Sequence, residues 1–193
     1  MHMPENAEVM QRRTAHHEPG HMVIAADQGL RLSPEGIMVD QSGFGLGCYD
    51  RDPRGSDALR KSILLATFAG YYAEKRFCEE QSLGLLDEDT WFLYNTDGHE
   101  AIKLLKAIAA EAWSNGSLEK TRLELKSQSK KLVDKRWSVI KAVASALLAK
   151  DWEPIRPLGS GDQWWNENQT MAKYLSGEEV IRILAQSGMT ANE

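Results

Sequence analysis

Five consecutive residues, His17-Glu18-Pro19-Gly20-His21, match the pattern H-E-x-x-H. On a helix, two histidines four apart lie one turn from each other, so both imidazoles leave the same face and can reach one tetrahedral metal ion. Glu18 falls about 100° further round that helix, beside such a metal without ligating it. A carboxylate there can take a proton from a water whose pKa the metal lowers and hand it to a departing amine. The spacing supplies two ligands and a base, and no third ligand. A plainer reading stands beside this one. The chain has five histidines, so a pair four apart can be accidental, and His16-His17 also suits an ordinary polar helix end. Pro19 favours the plain reading, because a proline inside a helix removes a backbone donor and crowds the preceding turn at a cost of about 3 kcal/mol. Gly20 favours the metal, since it leaves room for a neighbouring element to come close.

The elements that must hold these residues follow from patterning. Glu8 to about Gln28 is predicted as a helix, with Gly29 as its stop. Residues 36–49 predict a short hairpin: an apolar run Ile37-Met38-Val39, a turn around Ser42-Gly43, then glycines alternating with Phe44, Leu46 and Cys48. From Asp57 to near Cys78, Leu64, Phe68, Tyr71 and Tyr72 recur at helical spacing. Leu83 to Thr96 has no clear period and reads as a loop with at most one helical turn. A third helix is expected from Asp97 to Trp113, along the stripe Ala101, Leu104, Leu105, Ile108 and Ala112. A long helix is expected from Leu118 to Lys150, charged in its first half and apolar on one face in its second. Pro154 to Gly161 reads as a connector, and Ser176-Gly177-Glu178-Glu179 has the spacing of a capping box that opens a last helix. The expectation is one domain over residues 1–193, mostly α, with one small β-hairpin after the motif helix.

Composition narrows the function classes. With 23 Lys+Arg against 28 Asp+Glu and a formal charge of −5, no basic footprint for nucleic acid is present. The longest uncharged run, Ser62 to Ala73, has twelve residues, against the ~18–20 needed to cross a bilayer, so no membrane span is expected. The first residues carry neither a basic segment nor an apolar signal core, which predicts a cytoplasmic protein. Two cysteines, Cys48 and Cys78, are enough for one bridge, but so low a count suits a reduced compartment and argues against a disulfide scaffold or a thiolate zinc cage.

The stretch Thr14-Ala15-His16-His17-Glu18-Pro19-Gly20-His21-Met22-Val23-Ile24-Ala25 resembles the zinc-motif helix of the FtsH-type (M41) metallopeptidase domain. The resemblance continues downstream in family order. Ile37-Met38-Val39 with Gly43-Phe44-Gly45-Leu46-Gly47 is similar to the family's strand and return. Residues 64–74, ending in Gly70-Tyr71-Tyr72-Ala73-Glu74, are similar to its apolar helix, and Asn95-Thr96-Asp97 to the short motif whose aspartate completes the zinc site. Residues 137–148 and 175–180 are similar to its C-terminal helices. The resemblance implies a zinc-dependent endopeptidase with Zn2+ held by His17, His21 and Asp97, Glu18 as general base, and peptide or unfolded protein as substrate. Two features depart from the family. There is no membrane anchor and no G-x-x-x-x-G-K-[ST] of an AAA ATPase in this sequence, and Pro19 stands where the family has a small residue. Activity is therefore expected to be ATP-independent in this chain and limited to flexible peptides, or to depend on a separate partner protein or a homo-oligomer.

Alternatives remain open at this stage. Asp97, followed by Glu100 three residues on, also reads as a helix N-cap, with His99 as reserve ligand. Glu74 reads either as an acceptor for a ligating imidazole N–H or as a solvated helix residue. Phe44 to Gly47 reads as an edge strand able to pair with a peptide or as a plain hairpin. Trp164-Trp165 is a surface patch or a loop anchor, and the basic run Lys126 to Lys135 a solvated helix face. Two other functional classes compete with the enzyme: a non-catalytic binding or regulatory module that keeps the fold and the zinc, and a purely structural helical domain.

Overall fold

One apolar helix organises the others. In the computed structural model, which describes residues 6–52, 54–85, 87–112, 115–156 and 171–189, α2 (Asp57–Glu80) is buried without a break from Ile63 to Ala73. A helix apolar all round has to be surrounded. Here α1 (Ala7–Asp27), α4 (Thr96–Ala112) and α5 (Asn115–Leu148) pack against it. The uncharged run Ser62–Ala73 is thus the centre of the core, and no helix among the described residues is long and apolar enough to cross a membrane. The chain is mostly helical, as expected.

The predicted hairpin is β1 (Leu32–Asp40) and β2 (Gly45–Tyr49), and it belongs to a larger element. Two C-terminal strands, β3 (Glu153–Pro154) and β4 (Met171–Leu175), complete an antiparallel sheet of order β2-β1-β4-β3. Met38 stands opposite Leu46 on one side and Tyr174 on the other. The five residues of β4 follow no strand pattern that stands out from the preceding connector, and β1 recruits them from more than 130 residues away. Trp164-Trp165 lies outside the described residues.

Helix starts follow local chemistry. Asn6, Ser56 and Asp87 each accept a backbone N–H of the first turn they precede, and α6 (Gly177–Gln186) opens on the full Ser176–Glu179 capping box that the sequence announces. Asp87 starts α3 (Glu88–Tyr94), where a loop was expected; seven residues are too few to display a helical period. The basic run on α5 is also more than a solvated face. Lys130, Lys131 and Lys135 are exposed, but Lys126 is buried, with its Nζ 2.8 Å from Glu88 on α3.

Candidate metal centre

The motif helix forms in spite of its proline. α1 runs unbroken from Ala7 to Asp27 with Pro19 inside it and is buried from Ala15 to Ala26. Tertiary packing therefore outweighs the ~3 kcal/mol that an internal proline costs. Gly20 is what lets α1 lie this close to α2: a Cβ at that position would come within 2.7 Å of the Ala69 carbonyl oxygen and of the Ala73 side chain. With α1 in place, His17 and His21 point toward α2 and the start of α4.

Asp97 meets them there. Its Oδ2 lies 3.1 Å from His17 Nε2 and 3.0 Å from His21 Nε2, and ligand atoms of the three residues all fall within 4.8 Å of one another. Asp97 does not cap α4. The helix begins at Thr96, and Asn95 Oδ1 accepts the Asp97 N–H at 2.9 Å, so Asn95 takes the capping role and leaves the Asp97 carboxylate to face the imidazoles. His99 is exposed and lies outside this group.

The far side of each ring fixes which nitrogen carries a proton. His21 Nδ1 lies 2.8 Å from the Ala66 carbonyl, which can only accept, so Nδ1 must donate. His17 Nδ1 donates to Glu74 Oε2 at 2.9 Å, and Arg13 holds the other Glu74 oxygen from Nε at 2.9 Å and Nη2 at 2.7 Å. In neutral rings both Nε2 atoms then present lone pairs to a carboxylate oxygen about 3 Å away. Three acceptors facing one another need a shared cation, either protons or a metal ion. Two imidazole nitrogens and one carboxylate oxygen are also the donor types of catalytic zinc sites, so the residues fit a metal. Glu74, which accepts from His17 Nδ1, would be the acceptor behind the ring if His17 held a metal.

Electrostatics follow from the same contacts. Burial works against the charged form of His17, but the hydrogen bonds to Asp97 and Glu74 outweigh it and hold the pKa well above 6.5. Burial likewise works to raise Asp97, yet His21 and His17 keep it well below the usual carboxylate range. For Glu74, His17 and Arg13 overcome burial in the same downward sense. Glu18 differs. It is buried, burial raises its pKa, and it has no hydrogen-bond donor among the described residues. A buried carboxylate without a donor beside a cation site is a functional candidate rather than a structural part.

The space for that carboxylate comes from β2. A Cβ at Gly45 would lie 2.8 Å from Glu18 Cγ, and one at Gly47 would lie 3.1 Å from Glu18 Oε2. The hairpin also turns its open edge outward beside the site. Asp40 N–H donates to Phe44 O, and Met38 stands opposite Leu46, so even-numbered residues of β2 bond to β1 while Gly45 and Gly47 turn their backbone groups away. Phe44 stands at the tip, 43% exposed.

Compared with known proteins, the chain matches no family model and no curated protein.

Sequence patterns gave three of the site's neighbours no role there, although Gly70 stands in the run Gly70-Tyr71-Tyr72-Ala73-Glu74 that carries the resemblance. Gly70 faces both imidazoles: a Cβ there would lie 2.7 Å from His17 Nε2 and closer still to the His21 ring. Trp91, on the unforeseen α3, lies 6.1 Å from His17 between ring centroids. Arg51, in the loop after β2, has its Nη1 3.6 Å from Asp97 Oδ1. Lone residues in a short helix or a loop carry no period to betray them. Gly70 had a signal, its place four residues before Glu74 on an apolar helix. Neither Cys48 nor Cys78 belongs to the metal group, and neither is bridged.

Proposed function

We propose that this protein is a zinc metallopeptidase of the FtsH type, with His17, His21 and Asp97 as ligands and Glu18 as general base. The observation that carries this reading is the convergence of three acceptor atoms whose tautomers are set from behind by Ala66 O and Glu74. A structural helical domain could satisfy the same three atoms with a shared proton, so metal content decides between the two readings. A bound divalent metal would polarise the scissile carbonyl and lower the pKa of a water. Glu18 then takes one proton from the attacking water as the O–C bond forms, holds it, and gives it to the amine nitrogen as the C–N bond breaks. Its desolvation makes it a stronger base than a solvated carboxylate. Substrate is held as an added strand on the outward groups of Gly45 and on the Gly47 N–H, the Gly47 carbonyl being bonded by Arg51; such pairing reads main chain and so tolerates many sequences. The substrates we assign are flexible peptides and unfolded segments, which can enter an edge-strand pairing as extended chain, and the compartment we assign is the cytoplasm.

The test is metal content followed by cleavage. Purified protein is expected to hold about one zinc per chain and to lose it in His17→Ala. Casein cleavage is expected to stop in Glu18→Gln while zinc stays. Absence of metal after reconstitution would overturn the zinc site; zinc with no cleavage of casein or peptides would leave a non-catalytic module instead.

A further inference from the structure

Among the described residues near the site, Arg51 is a charged group whose role neither the ligand set nor the base explains. It lies in the loop after β2, and three contacts fix its guanidinium. It stacks over the Tyr49 ring at 4.4 Å, its Nη2 donates to Gly47 O at 3.1 Å, and its Nη1 faces Asp97 Oδ1 at 3.6 Å. Tyr49 is itself held, with its hydroxyl 3.3 Å from Thr67 Oγ1 on α2. The Asp97 contact is on the oxygen that the imidazoles do not use, and it exceeds hydrogen-bond length. A guanidinium carries five N–H donors. Among the described residues, Gly47 O is the one hydrogen-bond acceptor it reaches, and its side chain is 33% exposed. A cation with free donors is thus held between Gly47 on the open edge of β2 and Asp97.

We propose that Arg51 is a catalytic residue that donates hydrogen bonds to the scissile carbonyl oxygen and stabilises the negative charge that develops on it. The proposal rests on the peptidase reading above and adds a group to it. As water bonds to the carbonyl carbon, the C=O π pair moves onto oxygen and Glu18 receives the water's proton. As the C–N bond breaks, that pair returns to re-form C=O and the proton passes to the amine. Arg51 gains and loses no proton, because a guanidinium stays charged at any working pH. Its contribution is greatest while the oxygen is anionic, which is the condition for raising kcat rather than for tightening substrate binding. Positioning by Tyr49 and Gly47 means little reorganisation is needed at that moment.

Binding to the zinc-loaded full-length protein tests this independently of turnover. The probes are a phosphinic pseudotripeptide, whose tetrahedral anion imitates the charged state, and its plain amide counterpart, both titrated by calorimetry into wild type, Arg51→Met and Arg51→Lys. Arg51→Met is expected to weaken phosphinic binding about 100-fold, in the range of one lost oxyanion donor, to change amide binding less than about threefold, and to keep zinc. Arg51→Lys should recover part of the loss. In turnover the same variant should lose kcat with KM nearly unchanged. Equal losses on both probes, or no loss on the phosphinic one, would overturn the role of Arg51 and leave the peptidase reading intact. A wild-type protein that takes up no zinc and binds no phosphinic peptide would overturn that reading, and this proposal with it. A merely structural Arg51 would lower the melting temperature and affect both probes alike.

Discussion

Replacing Gly70 with alanine adds one methyl group at the most crowded point of the site. The new Cβ would lie 2.7 Å from His17 Nε2 and closer to Cε1 and Nε2 of His21, whereas an ordinary contact needs about 3.5 Å. Neither neighbour can yield cheaply. Both rings are buried, and each is tied from behind, His21 to the Ala66 carbonyl and His17 to Glu74. Relief therefore needs a shift of roughly 1 Å in the imidazoles or in the α1–α2 pair, against a tolerance of about 0.2 Å in metal–ligand distances. Overpacking of this kind costs about 1–3 kcal/mol, which for a chain of this length lowers the melting temperature by roughly 2–12 °C. Zinc affinity should fall by about 100-fold or more, at the upper end of what loss of a ligand's supporting contact costs, since two ligands move together. The assays are thermal unfolding of the metal-free protein and zinc competition against a chromophoric chelator. Gly84→Ala is the control, with nothing within 4 Å of its Cβ, and should stay within about 0.5 kcal/mol of wild type. If Gly70→Ala took up zinc as tightly as wild type and melted at the same temperature, the paired imidazoles would not be the metal site.

Three other outcomes are expected. Glu74→Gln keeps an acceptor for His17 but loses the charge that faces His17 and Arg13, so zinc affinity should drop about 10–100-fold; an unchanged affinity in the chelator assay would refute a role behind the ligand. Glu18→Gln should lower peptide turnover by about 10²–10⁴-fold and raise the melting temperature at pH 8, because it removes a buried, desolvated charge; a lower melting temperature would mean the carboxylate stabilises the fold. For the metal-free protein, His17 has a folded pKa above 6.5, so its contribution to stability is whole below pH 6.5 and is lost as the pH rises through the folded value. Asp97 and Glu74 have depressed pKa values, so theirs is whole above about pH 4.5 and is lost as the pH falls through the folded values. The melting temperature should therefore fall as pH rises from 6.5 to 9 without metal, while zinc affinity rises over the same range as the competing proton leaves; a flat melting profile or a flat affinity would refute the shared-cation account.

Sequence showed those features that one helix or one turn encodes locally. The H-E-x-x-H spacing, the Ser176 capping box, the hairpin turn and the buried run of α2 each lie within about a dozen residues, and each took its expected form. The features it hid depend on distant partners. β4 is a strand because β1 offers it an edge, and Lys126 is buried because α3 brings Glu88 to it. Asp97 was ambiguous for a different reason. A carboxylate at a helix start suits either a cap or a cation, and the neighbouring Asn95 takes the capping N–H, which leaves the Asp97 carboxylate turned to the imidazoles.

The contribution of α2 was legible in part, and it explains how the site holds together. The helix supplies no ligand, yet Ala66, Gly70 and Glu74 lie four residues apart on one face and meet the two histidines in turn. Ala66 offers its carbonyl to His21, Gly70 leaves the gap both rings fill, and Glu74 accepts from His17. On α1, His17 and His21 share the same four-residue spacing, and Gly20 between them brings the backbones close enough for the two stripes to engage. The fit of an H-x-x-x-H stripe to an A-x-x-x-G-x-x-x-E stripe accounts for why Pro19 is tolerated, since contacts along both helices hold α1 through the turn the proline weakens. It also makes a demand on sequence: with this α1–α2 packing, a side chain at the Gly70 position would take the space of both rings, and loss of the Glu74 acceptor would leave the His17 tautomer unset.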